Sequence, residues 1–257
     1  MAGHSKFKNI MHRKGAQDAK RAKIFAKLAR EVTVAAKTGG EDSGMNARLR
    51  SAVAAAKAQN MPNENVQRAI AKAMGGGEGA DFEEIRYEGY GPSGIAIIIE
   101  TLTDNRNRTA SEVRSAFTKY GGTLGESNSV SYLFDRVGLI LYPITVGSIE
   151  EVFDMSLECG ASDVEQINSY HEITSKPEDF STVRDGLEKR FGTAESANLG
   201  WRPRNLVPII GDEMKTVLKF LEVLEDNDDI QRIAFNVEIE DDEAETSITR
   251  KVLLTGA

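Results

Sequence analysis

The 257-residue sequence has one cysteine, three histidines and no long apolar run, and each shortage excludes something. Cys159 alone rules out an intrachain disulfide and a cysteine-based zinc site, which fits a reducing compartment. His4 and His12 lie in a basic stretch that suits phosphate or solvent contact. His171 falls in a predicted strand without ligand-like neighbours, so no metal site is expected. No apolar stretch approaches the ~20 residues that span a bilayer. The start is basic without the apolar core of a secretory signal, so a cytoplasmic protein with no membrane partner is expected. Neither a G-x-x-x-x-G-K-[ST] phosphate loop nor a G-x-S-x-G elbow occurs. Glu83-Glu84, Glu150-Glu151 and Asp228-Asp229 are adjacent acids that point to different sides and read as solvated surface. No constellation supplies a nucleophile or base with an orienting partner. The reading is therefore a non-enzyme with no catalytic residue or small-molecule substrate.

What the sequence does have is a basic opening. Residues 1–40 hold ten Lys/Arg and two acids, Asp18 and Glu31, in a chain of net charge −8. Residues 1–74 hold 15 basic and five acidic side chains, leaving 17 basic and 35 acidic for the rest. A polyanion is the expected partner of the basic part, because Lys/Arg bound to phosphates release condensed counterions. The acidic part would repel phosphate and keep the polyanion on the basic end. It could also meet a protein partner. From Ala16 to Lys37 the spacing is helical: Ile24, Leu28, Val32 and Ala35, with Phe25, form one face, and Lys20, Lys23, Lys27, Arg30 and Lys37 a second. Ahead of it, Lys6, Lys8, Arg13 and Lys14 surround Phe7, a mixture suited to phosphate contact with stacking or groove insertion. The expected nucleic-acid contacts are Lys6, Lys8, Arg13, Lys14, Lys20, Arg21, Lys23, Lys27 and Arg30.

Further helices are expected at Met45 to Asn60, with Leu49, Ala52, Val53 and Ala56 inward, and at Glu64 to Met74, with Asn63 as its N-cap and Val66, Ile70 and Ala73 inward. Their short connection allows a helix-turn-helix, although the last helix carries only Arg68 and Lys72. Gly75 to Gly79 reads as a linker. Strands follow at Ile85 to Tyr90 and Ile95 to Leu102, the second an apolar run typical of burial on both faces. Thr109 and Glu112 have capping-box spacing ahead of a helix to Tyr120. Asn105, Arg106, Asn107 and Arg108 precede it as a possible second contact for RNA or protein. Ser129 to Phe134 reads as a strand.

The next stretch reads β (Gly138 to Tyr142), α (Ser148 to Cys159, with Ile149, Val152, Phe153 and Leu157 on one face), β (Asp163 to Asn168), β (Tyr170 to Ser175), α (Pro177 to Phe191), β (Ala197 to Arg202). This βαββαβ order is ferredoxin-like. Trp201 reads as a core or edge anchor. A helix at Asp212 to Glu225 and a strand at Ile230 to Ile239 would complete the sheet begun near residue 85. Glu240 to Glu245 is an acidic tract. The expected fold is a multidomain α+β chain. It has a three-helix N-terminal domain at 1–79, a discontinuous α/β middle domain at 80–135 and 206–257, and an inserted ferredoxin-like domain at 136–205.

Longer motifs add a resemblance. Ala2-Gly3-His4-Ser5-Lys6, Asn9-Ile10, His12-Arg13-Lys14, Gln17-Asp18-Ala19-Lys20-Arg21, Lys23-Ile24-Phe25, Asn60-Met61-Pro62, Tyr87-Glu88-Gly89-Tyr90-Gly91-Pro92, Thr103 to Thr109 and Leu133-Phe134 closely resemble the YebC/PmpR family across essentially the whole chain. The family usually has Trp where Phe7 stands and Pro near Gly44. The resemblance implies three domains, no cofactor, and a cytoplasmic DNA-binding transcriptional regulator. The family also includes mitochondrial translational activators of cytochrome c oxidase and ribosome-linked bacterial members. Under either role it implies nucleic-acid contacts at Lys6, Arg13, Lys14, Lys20, Arg21 and Lys23. The first expectation is a DNA-binding transcriptional regulator, and the alternative is an RNA- or ribosome-binding translation factor using the same basic segment on ribosomal or transfer RNA.

Overall fold

The structure is a computed structural model that describes residues 3–75, 81–167 and 169–238, with side chains from Arg21 onward. The chain divides into two compact units, Met1–Gly79 and Ala80–Ala257.

The first unit has three helices, α1 (Gly3–Gly39), α2 (Ala47–Ala58) and α3 (Asn63–Met74). Val32, Ala35, Ala36, Leu49, Ala52, Ala56, Met61, Val66 and Ala69 form its core, with Phe25 and Leu28 at its margin. Alanines dominate, so α1 can lie close to α2 and α3. Polar groups tie the helices together. Asn46 caps α2 by accepting from Leu49 N (3.0 Å), while its amide donates to Ala35 O and Gly40 O (both 2.8 Å), the end of α1. Thr33 donates to Ala69 O of α3 (3.2 Å). The α1 backbone is helical from Gly3, well before the expected start at Ala16. Lys, Arg, Met and Ala are good helix formers, so the composition ahead of Ala16 is itself compatible with helix. Helix α3 starts at Asn63 itself behind Pro62, with no side-chain cap, because proline's fixed φ suits a helix entrance.

The second unit runs β1 (Glu83–Tyr90), β2 (Ala96–Thr103), α4 (Arg106–Lys119), β3 (Thr123–Leu124), β4 (Phe134–Pro143), α5 (Ile149–Glu158), β5 (Asp163–Ile167), β6 (Tyr170–Ser175), α6 (Phe180–Phe191), β7 (Ser196–Pro203), β8 (Val207–Pro208), α7 (Asp212–Glu225), β9 (Ile230–Phe235) and β10 (Val237–Glu238). Two four-stranded sheets result, ordered β3-β1-β2-β9 and β5-β6-β4-β7. The second order, with antiparallel pairing throughout, is that of a ferredoxin-like sandwich, and it interrupts the chain between β3 and β9.

Strand β2 justifies its apolar run. Ile97 and Ile99, with Ile95 just before the strand, meet Val113, Phe117, Val217, Phe220 and Leu221 of α4 and α7. Ala96 and Ile98 face the other way, onto Val130, Phe134, Ala234 and Trp201. The ferredoxin-like core is separate and joins Ile140, Tyr142, Val152, Ile173, Val183 and Leu187.

Several expectations need correction. Residues 131–133 form a 3-10 turn where a strand at Ser129 to Phe134 was expected. The buried Glu88 carboxylate accepts from Val130 N (3.0 Å) and Ser131 N (2.9 Å) and folds that segment inward. The strand expected from Gly138 begins at Phe134. Helix α6 starts at Phe180, because Asp179 N turns back to Lys176 O (3.1 Å) and occupies Pro177 in that turn. On α5, Phe153 and Leu157 are exposed at 41% and 47%, while Val152 and Ser156 are buried. The buried stripe of that short helix is narrower than its apolar residues suggest. The final strand ends at Phe235, and Asn236 Oδ1 accepts from Ala96 N (2.7 Å), so β10 leaves to pair in parallel with β8. The acidic tract 240–245, Ile239 and residues 76–80 lie outside the described residues.

Candidate nucleic-acid interface

Helix α1 carries every cation of the expected principal interface. Lys6, Lys8, Arg13, Lys14 and Lys20 lie in its helical backbone, and their side chains fall outside the described residues. Arg21 is exposed, with its guanidinium 5.3 Å from the Phe25 ring centroid. Lys23, Lys27 and Arg30 are half-buried on the same helix. Two arginines of α2 are used internally. Arg48 forms a paired contact with Glu31 of α1 (2.8 and 3.2 Å), and Arg50 donates to Ser43 O and Gly44 O. The exposed cations of α2 and α3 include Lys57, Arg68 and Lys72.

The second expected segment, Asn105 to Arg108, divides into two roles. Asn105 is the cap of α4 and accepts from Arg108 N (3.1 Å). The helix therefore begins at Arg106, not after a box at Thr109 and Glu112. Thr109 is wholly buried and donates to Asp229 Oδ2 (2.6 Å). Thr103 (3.1 Å) and Arg108 (2.7 Å) donate to the same oxygen. Burial raises the Asp229 pKa, but the hydrogen bonds from Thr109, Arg108 and Thr103 outweigh it and hold the carboxyl below its ordinary value. Arg108 also pairs with Asp104 (2.9 Å), and its pKa is raised by these two hydrogen bonds. Arg108 and Thr109 thus fasten α4 to Asp229 at the start of β9, while Asn105 caps the helix. Arg106 and Asn107 are exposed.

This arrangement can be compared with known proteins. A family model described as "TACO1/YebC protein N-terminal domain" matches residues 5–76, and one described as "TACO1/YebC second and third domain" matches residues 82–237. The chain belongs to the TACO1/YebC family. A solved structure, that of a conserved hypothetical protein Aq1575 from Aquifex aeolicus, is 46% identical with a TM-score of 0.81, covering 87% of this chain and 93% of that one. TACO1/YebC is a family of regulator type. Among the described residues no helix is long and apolar enough to cross a membrane.

One cluster in this TACO1/YebC chain escapes sequence reading. Glu100 of β2 accepts from Trp201 Nε1 (2.9 Å), Arg136 (2.7 Å) and Arg232 (3.3 Å). The Arg136 and Arg86 guanidiniums lie 4.9 and 5.2 Å from the Trp201 ring centroid. Burial would raise the Glu100 pKa, but Arg232, Arg136 and the Trp201 hydrogen bond keep it below the usual carboxylate range. The only available signal was a charged residue inside an otherwise apolar strand. Its partners are up to 132 positions away in sequence.

Proposed function

We propose that this chain is a nucleic-acid-binding regulator of gene expression that holds a phosphate backbone along the basic side of α1. The observation carrying this reading is the concentration of ten Lys/Arg against two acids in residues 1–40, all of it on one continuous helix. An α-helix this rich in cations fits a phosphate-lined groove. We place the working division at residues 1–79 for the nucleic-acid-binding part, 80–135 with 206–257 for the middle domain and 136–205 for the insert. The DNA-binding transcriptional regulator is the first reading, by analogy with the role ascribed to the family.

A specific observation favours a second reading, an RNA-binding translation factor. With Arg48 and Arg50 engaged internally, the α2–α3 hairpin offers Arg68 and Lys72 on its second helix, few for reading base edges. Recognition through phosphates and shape is the usual mode for folded RNA. Crosslinking in cells by ultraviolet light, followed by separate sequencing of attached DNA and RNA, tests both. Discrete DNA loci support the first reading, and ribosomal or transfer RNA supports the second. Recovery of neither would refute nucleic-acid binding.

A further inference from the structure

Beyond α1, the charge on α4 is out of keeping with its surroundings. Residues 75–257 hold 35 acids and 17 bases, yet α4 holds Arg106, Arg108, Arg114 and Lys119 against Glu112 alone. By contrast, α5 has four acids and no base, and α7 has four acids and two bases.

The two flanks of α4 differ in what they do with charge. On one flank Arg108 is held by Asp229 and Asp104, and Glu112 accepts from Asn227 (2.7 Å). On the other flank Arg106, Ala110 and Arg114 follow at four-residue spacing, so the two arginines stand about 12 Å apart along the axis. Both are exposed, and neither guanidinium has an ion pair or hydrogen bond with a described residue. Between the flanks Asn107, Ser111 and Ser115 are exposed, with Thr118 exposed but donating to Arg114 O (2.9 Å), so the outward face is polar and free of carboxylate. Small hydroxyl and amide side chains of this kind donate to phosphate and sugar.

Two further observations set this flank apart. The first turn of α4 contains no acid and two arginines. A cation there opposes the helix dipole. Arg108 is compensated by Asp229 and Asp104, whereas Arg106 has no such partner. Beside them, the Tyr87 hydroxyl of β1 is buried without a hydrogen-bond partner among the described residues. Burial raises its pKa, while Arg106 lowers it, Asp229 raises it and Arg114 lowers it, which places both arginines within electrostatic reach of one point.

We propose that the Arg106–Arg114 flank of α4 is itself a phosphate-backbone contact for nucleic acid, additional to the one proposed on α1. It rests on the function proposed above and refines the sequence expectation: Arg106 and Asn107 stay in the contact, Arg114 joins it, and Asn105 and Arg108 leave it for structural roles. Affinity of the full-length chain for a labelled duplex DNA and a labelled folded RNA, measured across a salt series, tests it. Arg106→Ala/Arg114→Ala removes two phosphate contacts. The slope of log affinity against log salt should fall by about 1.4 to 1.8, and binding should weaken at every salt concentration. Arg106→Lys/Arg114→Lys keeps both charges and should keep the slope. Lys189→Ala/Arg190→Ala on α6 removes two exposed cations of the same unit and should leave the slope unchanged. An unchanged slope for Arg106→Ala/Arg114→Ala overturns the contact. An equal drop for both alanine pairs also overturns it, in favour of a bulk charge effect. A wild-type chain that binds neither probe fails at the earlier step and removes the function itself.

Discussion

The helical unit and the α/β unit solve the problem of internal polarity in opposite ways. In the first, the buried polar side chains among the described residues are Thr33 and Asn46, both neutral and both bonded to backbone carbonyls. In the second, Glu88 and Asp229 are buried as carboxylates, and Glu100 is largely enclosed among Arg136, Arg232 and Trp201. A neutral donor makes its bonds at any ordinary pH. A buried carboxyl accepts most strongly while ionised, and its removal leaves donors facing nothing. The fully buried polar ties of the unit that bears the main basic helix are therefore neutral, with the Glu31–Arg48 pair only partly buried, whereas the acidic unit buries carboxyl groups.

The sharpest way to break this contrast is Asp229→Ala. Thr103, Thr109 and Arg108 lose one shared acceptor, and the α/β unit should lose about 3 kcal/mol. Hydrogen exchange on the full-length chain should show lost protection in β2, α4 and β9, with α2 and α3 unchanged. Equal loss in both units would end the distinction.

Acid should act in the same direction with a smaller, graded effect. Glu100 and Asp229 have folded pKa values below their unfolded ones. Their contribution is complete above the unfolded value near ~4, declines as pH falls through it, and is gone below the folded values. Glu172 works in the opposite sense, since burial raises its pKa. Its ionisation costs stability above that raised value, and acid relieves the cost. Between about pH 6 and pH 3, protection should fall in β1, β2 and β9 more than in the α1–α3 core, and Glu100→Gln should flatten the response. A steeper acid response in the helical unit would contradict this.

Asn46→Ala tests the neutral side. It deletes a cap and two donations to carbonyls at the end of α1, and should cost the helical unit about 1–2 kcal/mol, read as faster exchange in α1 and α2 alone. Because the Asn46 side chain fills the space beside Gly39, Asn46→Asp retains the cap but should still lose most of the link to α1.

Local signals in the sequence were legible where one element sufficed to read them. The two-faced run of β2, the inward stripes of α2 and the βαββαβ order all follow from periodicity. Capping was misread at Thr109 because Thr-x-x-Glu is a pattern of neighbours, whereas the hydroxyl is claimed by Asp229, 120 positions on. Phe153 and Leu157 have helical spacing, but nothing in the sequence tells how wide a stripe the sheet can cover. Trp201 was read correctly as an anchor, yet its partners Arg86, Glu100 and Arg136 could not be named before the two sheets were brought together. Among the proposed contacts, charge alone could not separate Arg106 from Arg108, since their difference is the presence of a buried acceptor.

Strand β4 has a mechanical consequence. Phe134 at its root belongs to the core under β2, while Ile140 and Tyr142 further along belong to the ferredoxin-like core. The strand is paired with β7 from Phe134↔Pro203 to Leu141↔Ser196, and Arg204 N bonds back to Leu133 O (2.9 Å). The chain thus enters and leaves the insert as one hydrogen-bonded ribbon. Rooted this way the ribbon acts as a lever, and a load on its far end, where Pro143 pairs with Tyr170, arrives at Trp201 and Glu100 on the middle sheet.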